Sequence, residues 1–202
     1  MPLSKLDYKK ALLHLGKDKL LKEIIKKYEA PTWSLKTDLF SDLIESIINQ
    51  QLSGKAAETI YNRFKLLLKN KITPQNILKT KDEKIRECGI SYPKIGYIKG
   101  LCQAIVDGLF VPDKVQNLSD EEVVIELTKL KGVGRWTAEM ILIFSLKRPD
   151  IFSVGDLGLR TAVSKLYNID RENIKEIEKL SLKWSPYRSL AARYLWRSLN
   201  NR

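Results

Sequence analysis

Helix signals follow one another at short intervals along this chain, and no segment shows the period-two alternation of a half-buried strand. Apolar residues recur at helical spacing instead. Leu3–Leu15 and Lys19–Tyr28 read as short amphipathic helices before Pro31 breaks the chain. Asp38 can cap a helix through Gln50, with Leu39, Phe40, Leu43, Ile44, Ile47 and Ile48 as its buried stripe. Ser53 can cap the next, to about Leu68, and Thr73-Pro74 starts one through Lys79. Asp82–Cys88 stops at Gly89, and Pro93–Asp107 stops at Gly108. Ser119-Asp120-Glu121-Glu122 fits a capping box for a helix through Lys129. A helix from Gly134 to about Leu146 ends at Lys147-Arg148-Pro149. Asp156–Tyr167, Glu172–Leu180 and Pro186–Leu199 complete the set. The expected class is all-α, with many short helices in one or two closely joined lobes.

The totals set the partner and the compartment. The 202 residues suffice for one core or two small lobes. A formal net charge of +12 favours a polyanion, because lysines and arginines displace counterions from phosphates. The alternative is a lysine-rich surface that serves solubility alone. Cys88 and Cys102 are too few for a disulfide framework or a four-thiolate iron–sulfur site. The single His14 leaves no histidine-rich metal centre and argues against a Ser-His-Asp triad. No apolar run can span a bilayer, and the N-terminus lacks a signal core. The expected location is a reducing cytoplasm, associated with the nucleoid, or the nucleus in a eukaryote.

Residues 130–160 carry the strongest functional signal: LKGVGRWTAEMILIFSLKRPDIFSVGDLGLR. Leu130-Lys131-Gly132-Val133-Gly134 joins two helices as a helix–hairpin–helix. The glycines let a ligand approach the backbone. The amides of Val133, Gly134 and Arg135 stand at a helix start, where an anion is favoured, and Lys131 and Arg135 add full charges. A plain glycine-rich turn with no ligand is the competing reading. Asp156 follows, and its spacing alone suits an N-cap of the next helix.

Three blocks together carry a resemblance. SIINQQLSGKAAETIYNRF (46–64), LKGVGRWTAEMILIFSL with DIFSVGDLGLR, and KWSPYRSLAARYLW (183–196) resemble, in that order, the helix–hairpin–helix (HhH-GPD) DNA glycosylase superfamily. The alkylation-repair branch, of the 3-methyladenine DNA glycosylase II type, is the best match. The resemblance implies a two-lobed helical fold with its active site in the interlobe cleft. It implies one unit over 1–202: a lobe of central helices, about 35–115, and a lobe combining 1–34 with 116–202. It implies double-stranded damaged DNA as partner, a monomer, no membrane, and base excision repair as the process.

The resemblance makes Asp156 the catalytic carboxylate, which would stabilise an oxocarbenium-like sugar as the base leaves. Where some relatives have Asp-Asp, this chain has Gly155-Asp156. Relatives that also nick the backbone carry a lysine where this chain has Trp136, so no Schiff base can form there. A monofunctional enzyme that leaves an abasic site is expected, releasing 3-methyladenine and 7-methylguanine, with hypoxanthine and ethenoadenine as further candidates. Trp136 is the leading base-pocket residue, by cation–π stacking on a flipped base. Met140 stands where some relatives have an aromatic. Trp184, Tyr187 and Trp33 are candidates whose core and pocket readings are balanced. The wedge that fills the gap in the stack would be Gln51 or Leu52, beside Ser53. Backbone carbonyls of Thr128, Leu130 and Val133 would hold a Na+ or K+ ion, with no other cofactor.

Two other functions compete. A non-catalytic helix–hairpin–helix DNA-binding protein would use Asp156 only as a cap. A bifunctional oxidised-base glycosylase/lyase would need the lysine that Trp136 replaces. An iron–sulfur glycosylase lacks its cysteines.

Overall fold

The computed structural model describes residues 5–29, 31, 38–52 and 54–200. Thirteen α-helices occur among them: α1 (Lys5–Leu15), α2 (Lys19–Lys27), α3 (Leu39–Asn49), α4 (Gly54–Leu67), α5 (Pro74–Lys79), α6 (Asp82–Glu87), α7 (Tyr92–Val106), α8 (Pro112–Val115), α9 (Asp120–Thr128), α10 (Arg135–Met140), α11 (Leu157–Tyr167), α12 (Ile174–Ser181) and α13 (Arg188–Asn200). No strand occurs among the described residues. Three of the expected starts are made by the expected chemistry. Asp38 accepts from the Ser41 amide at 3.2 Å, and Thr73 accepts from Asn76 at 3.2 Å. Ser119 and Glu122 close the capping box. The chain adds α8, whose four residues are too few to show a periodicity. It also turns the end of the helix after the hairpin into a π turn, Ile141–Ser145.

The chain divides into two units, Lys36–Ile141 and Met1–Leu35 with Leu142–Arg202. The first boundary is at Lys36. The second falls after Ile141 rather than near residue 115, because α9 packs against α10 and buries Val123, Val124 and Leu127.

In the Lys36–Ile141 unit, α7 packs against α3, α5 and α6. Ile95, Ile98 and Leu101 of α7 meet a core that includes Leu43, Ile47 and Phe64. Cys88 and Cys102 are buried free thiols, and burial pushes Cys102 up to about 12, so both are packing residues.

In the other unit, α13 packs against α2 and α11. The segment leading to Asp156 is tied to the start of α13. Ser189 donates its amide to the Pro149 carbonyl at 3.0 Å, and its hydroxyl accepts from the Ile151 amide at 2.9 Å. Asp150 accepts from Arg188 Nε at 2.8 Å, Arg188 Nη2 at 3.1 Å and the Ser185 hydroxyl at 2.8 Å. Burial opposes ionisation of Asp150, but the Arg188 and Ser185 hydrogen bonds outweigh it and hold the carboxyl below its ordinary range.

A carboxyl lowered on folding contributes stability that is complete above its unfolded pKa of about 4 and is lost as pH falls through the folded value. The melting temperature should therefore drop below that range. Asp150→Asn should cost about 1.5–3 kcal/mol at neutral pH, where the charged hydrogen bonds are made, and should flatten the acid limb. An acid limb unchanged in Asp150→Asn, followed by circular dichroism, would show that the pair contributes nothing.

Candidate functional site

Asp156 is reached by a short turn in which its amide donates to the Ser153 carbonyl at 3.0 Å. It sits at the N-cap of α11 in extended backbone, and its side chain accepts from the Leu159 amide at 2.7 Å. The same oxygen, Oδ1, accepts from the Trp196 indole Nε1–H at 2.9 Å. Two donors from different helices therefore fix the plane of a half-buried carboxylate. Gly158 keeps the approach open: a Cβ there would lie 3.0 Å from Asp156 Oδ1 and 3.3 Å from the Trp196 ring.

Trp196 stacks on Phe144, with ring centroids 5.6 Å apart and planes at 29°. The Arg193 guanidinium lies 5.7 Å from the Phe144 centroid, and burial, with Arg197 nearby, lowers it to about 10. Phe144 comes from the π turn and remains 43% exposed. Trp196, Phe144 and Arg193 are the residues that sequence reading missed at this carboxylate. Trp196 closes a quoted block, so its spacing was available, but nothing in the sequence says that an indole reaches back 40 positions to an aspartate.

One aromatic expectation in this unit is corrected. Trp184 has 0% exposure in the core, and its indole donates to Asp18 at 3.1 Å. Asp18 caps α2 and also accepts from the Tyr167 hydroxyl at 2.8 Å, so Trp184 is held by a half-buried polar partner and is no pocket wall for a base beside Asp156. Tyr187 packs half-buried against His14, ring centroids 5.7 Å apart, at the edge of the same core. Trp33 lies outside the described residues.

The Lys36–Ile141 unit carries the hairpin and the loop after α3. Gly132 has φ +88°, and a Cβ there would lie 2.3 Å from the Tyr97 ring, so the turn demands glycine twice over. Gly134 is the N-cap of α10 and has no side-chain cap. By helix geometry the amide of Arg135 has no intrahelical acceptor, which leaves a donor for an anion. The Val133 amide is not among them, because it closes the turn onto Leu130 at 3.0 Å. Lys131 is exposed. Arg135 is committed elsewhere: it pairs with Glu121 at 3.3 Å and Glu139 at 3.1 Å. A phosphate would have to win it from two carboxylates.

Trp136 is 44% exposed, and Met140, one turn on, is half-buried. In the loop after α3, Gln51 has φ +59° and is exposed, and Leu52 is 38% exposed. An apolar side chain on a strained tip is a fit shape for insertion. Ser53 lies outside the described residues. Gln50 turns inward instead, and its amide donates to the Gly132 carbonyl at 2.8 Å. Among the described residues no group of three or more His, Cys, Asp or Glu side chains could hold a metal, and no helix is long and apolar enough to cross a membrane.

Comparison with known proteins gives the family. The profile of the HhH-GPD superfamily base excision DNA repair proteins matches residues 44–186. The chain is 37% identical to DNA-3-methyladenine glycosylase 1 of Schizosaccharomyces pombe over 94% of this chain and 86% of that protein. The S. pombe 3-methyladenine DNA glycosylase Mag1, solved with abasic DNA, superposes with a TM-score of 0.84 at 36% identity, covering 94% of this chain and 96% of that one. A DNA-3-methyladenine glycosidase from Bacillus halodurans gives a TM-score of 0.79 at 34% identity, covering 93% and 88%. With a matching profile over most of its length and relatives of this similarity, the chain belongs to the HhH-GPD superfamily of base excision DNA repair proteins.

Proposed function

We propose that this protein is a monofunctional DNA glycosylase that flips alkylated bases from double-stranded DNA and releases them by hydrolysis, leaving an abasic site. The observation that carries the proposal is the carboxylate of Asp156, oriented by Leu159 and Trp196 beside exposed aromatic surface. Relatives named for 3-methyladenine support the substrate class.

The chemistry asks little of the protein beyond charge and placement. The bond between C1′ and the base nitrogen breaks, and its electron pair leaves with the base. A base such as 3-methyladenine already carries positive charge, becomes neutral by taking that pair, and needs no strong acid. The deoxyribose is left electron-deficient at C1′. A carboxylate in a dry site stabilises that charge far more than it could in water. Water then adds to C1′, and its proton passes to Asp156 and on to solvent. The Phe144–Trp196 pair beside Asp156 is the surface we assign to the flipped base, and Trp136 and Met140 are pocket candidates on their own unit. A cationic purine is attracted to an aromatic face. Lys131 and the Arg135 amide at the start of α10 hold a backbone phosphate, and Gln51 or Leu52 fills the vacated stack.

The carbonyls of Thr128, Leu130 and Val133 offer neutral oxygens just past the negative end of α9, a donor set that fits Na+ or K+. The Leu130 carbonyl accepts from Val133 at 3.0 Å and keeps a second lone pair. These three residues would hold such an ion, which would add positive charge beside the phosphate. We expect the protein to act as a monomer.

The test offers the purified chain duplexes carrying 3-methyladenine, 7-methylguanine, hypoxanthine or 1,N6-ethenoadenine and measures free base. Release of the methylated bases with strands left intact until alkali is expected. Borohydride should trap no covalent adduct, because Trp136 offers no amine. Release of none of the four bases contradicts the substrate class, and a trapped adduct contradicts the monofunctional reading.

A further inference from the structure

The loop that carries Gln51 and Leu52 is held by a lysine that the proposed chemistry does not use. Lys94, in the first turn of α7, sends its ammonium to the C-terminal end of α3. It donates to the Ile48 carbonyl at 2.8 Å and to the Gln50 carbonyl at 2.6 Å. These are carbonyls of the kind a helix end leaves without intrahelical partners. An ammonium there satisfies them and meets the negative end of the helix dipole. Lys94 is half-buried, and burial lowers its pKa, so the contact is made at a desolvation cost.

Two further contacts extend the arrangement. Gln50, whose carbonyl Lys94 grips, donates its side-chain amide to the Gly132 carbonyl at 2.8 Å. Tyr97, three residues along α7 from Lys94 and on the same face, fills the space where Gly132 lacks a side chain. One face of α7 thus touches both the loop after α3 and the hairpin, and Gln50 ties these two to each other.

We propose that Lys94 is a positioning residue for base flipping: by clamping the carbonyls of Ile48 and Gln50 it sets the insertion loop in register with the hairpin that grips the strand. The inference rests on the reading of Gln51 and Leu52 as the wedge. Lys94 touches neither the base nor the sugar. Its effect falls on the cost of taking the base out of the stack, which is greatest when that base is paired. Gln50 acts the same way through the Gly132 carbonyl.

The experiment compares two substrates under single turnover: an alkylated base paired in a duplex, and the same base in an unpaired bulge, where flipping costs less. Wild type, Lys94→Met, Lys94→Arg and Gln50→Leu are measured, each with its melting temperature. Lys94→Met should lose at least about tenfold on the paired base, since small misplacements of positioning groups cost up to about a hundredfold. It should lose much less on the bulge. Lys94→Arg should recover part of the loss, and Gln50→Leu should repeat the selective pattern if Lys94→Met does not fold. Equal losses on both substrates, or no loss on either, overturn the proposal.

If the wild-type chain releases no base from either substrate, the glycosylase reading has failed, and the clamp is then judged by flipping alone. Fluorescence of a 2-aminopurine next to an abasic-site analogue reports whether the bound duplex is unstacked. Wild type should raise that fluorescence more than Lys94→Met or Gln50→Leu, and equal signals would overturn the clamp.

Discussion

Asp156→Asn should slow base release by about a hundredfold to a thousandfold while leaving the fold intact. Asparagine keeps an oxygen that can accept from the Leu159 amide and the Trp196 indole, and it caps helices about as well as aspartate. The melting temperature should stay close to that of wild type. What disappears is the negative charge facing the sugar. Losing a single electrostatic stabiliser of a transition state costs about a hundredfold to a thousandfold in rate. Asp156→Ala removes charge and cap together, and should add about 0.5–2 kcal/mol of instability to the same catalytic loss. The pair of variants separates the two roles that the sequence leaves superposed. Should Asp156→Asn excise at the wild-type rate, Asp156 is a cap and nothing more.

Gly132→Ala should be the most damaging single methyl in the Lys36–Ile141 unit. The residue adopts φ +88°, and the new Cβ would lie 2.3 Å from one Tyr97 ring carbon and 2.5 Å from another. The left-handed backbone costs an L-residue about 1–2 kcal/mol, and overpacking adds about 1–3 kcal/mol. A loss of about 2–5 kcal/mol is therefore expected in urea unfolding. Affinity for duplex DNA should fall as well, because the hairpin that presents the Arg135 amide must deform. Tyr97→Ala in the same chain should recover the steric share and leave the backbone share. Full recovery, or no loss in the single variant, would show that the hairpin is not built as described. Gly134 is a contrast, since nothing lies within 4 Å of its Cβ position.

Local chemistry was the legible part of this fold. Asp38, Thr73 and Ser119 start helices because their side chains bond amides two or three residues away, a short-range event that the sequence states directly. Gly132 and Asp156 were legible for the same reason. The π turn was not, since its register shift is settled by packing around Ile141–Ser145 and leaves no mark in an apolar run. The aromatic residues show the same limit. Trp136 and Trp184 look alike in a sequence, yet one is 44% exposed and the other has 0% exposure and bonds Asp18 from a distant part of the chain. Trp196, Lys94 and Gln50 owe their roles to partners 40 to 82 positions away. Arg135 looked free for a phosphate because Glu121, on α9, reaches it only after folding, although Glu139 stands at i+4 on the same helix.

The central claim is that one carboxylate stabilises a positive sugar, and charged analogues of that sugar test it directly. Duplexes carrying a neutral tetrahydrofuran abasic analogue or a cationic pyrrolidine analogue differ at the position where charge develops. The wild-type chain should bind the cationic duplex at least about a hundredfold more tightly, as transition-state mimics do, and Asp156→Asn should lose that preference while still binding the neutral one. Equal affinity of the wild-type chain for the two duplexes, or a preference that survives in Asp156→Asn, would contradict the account.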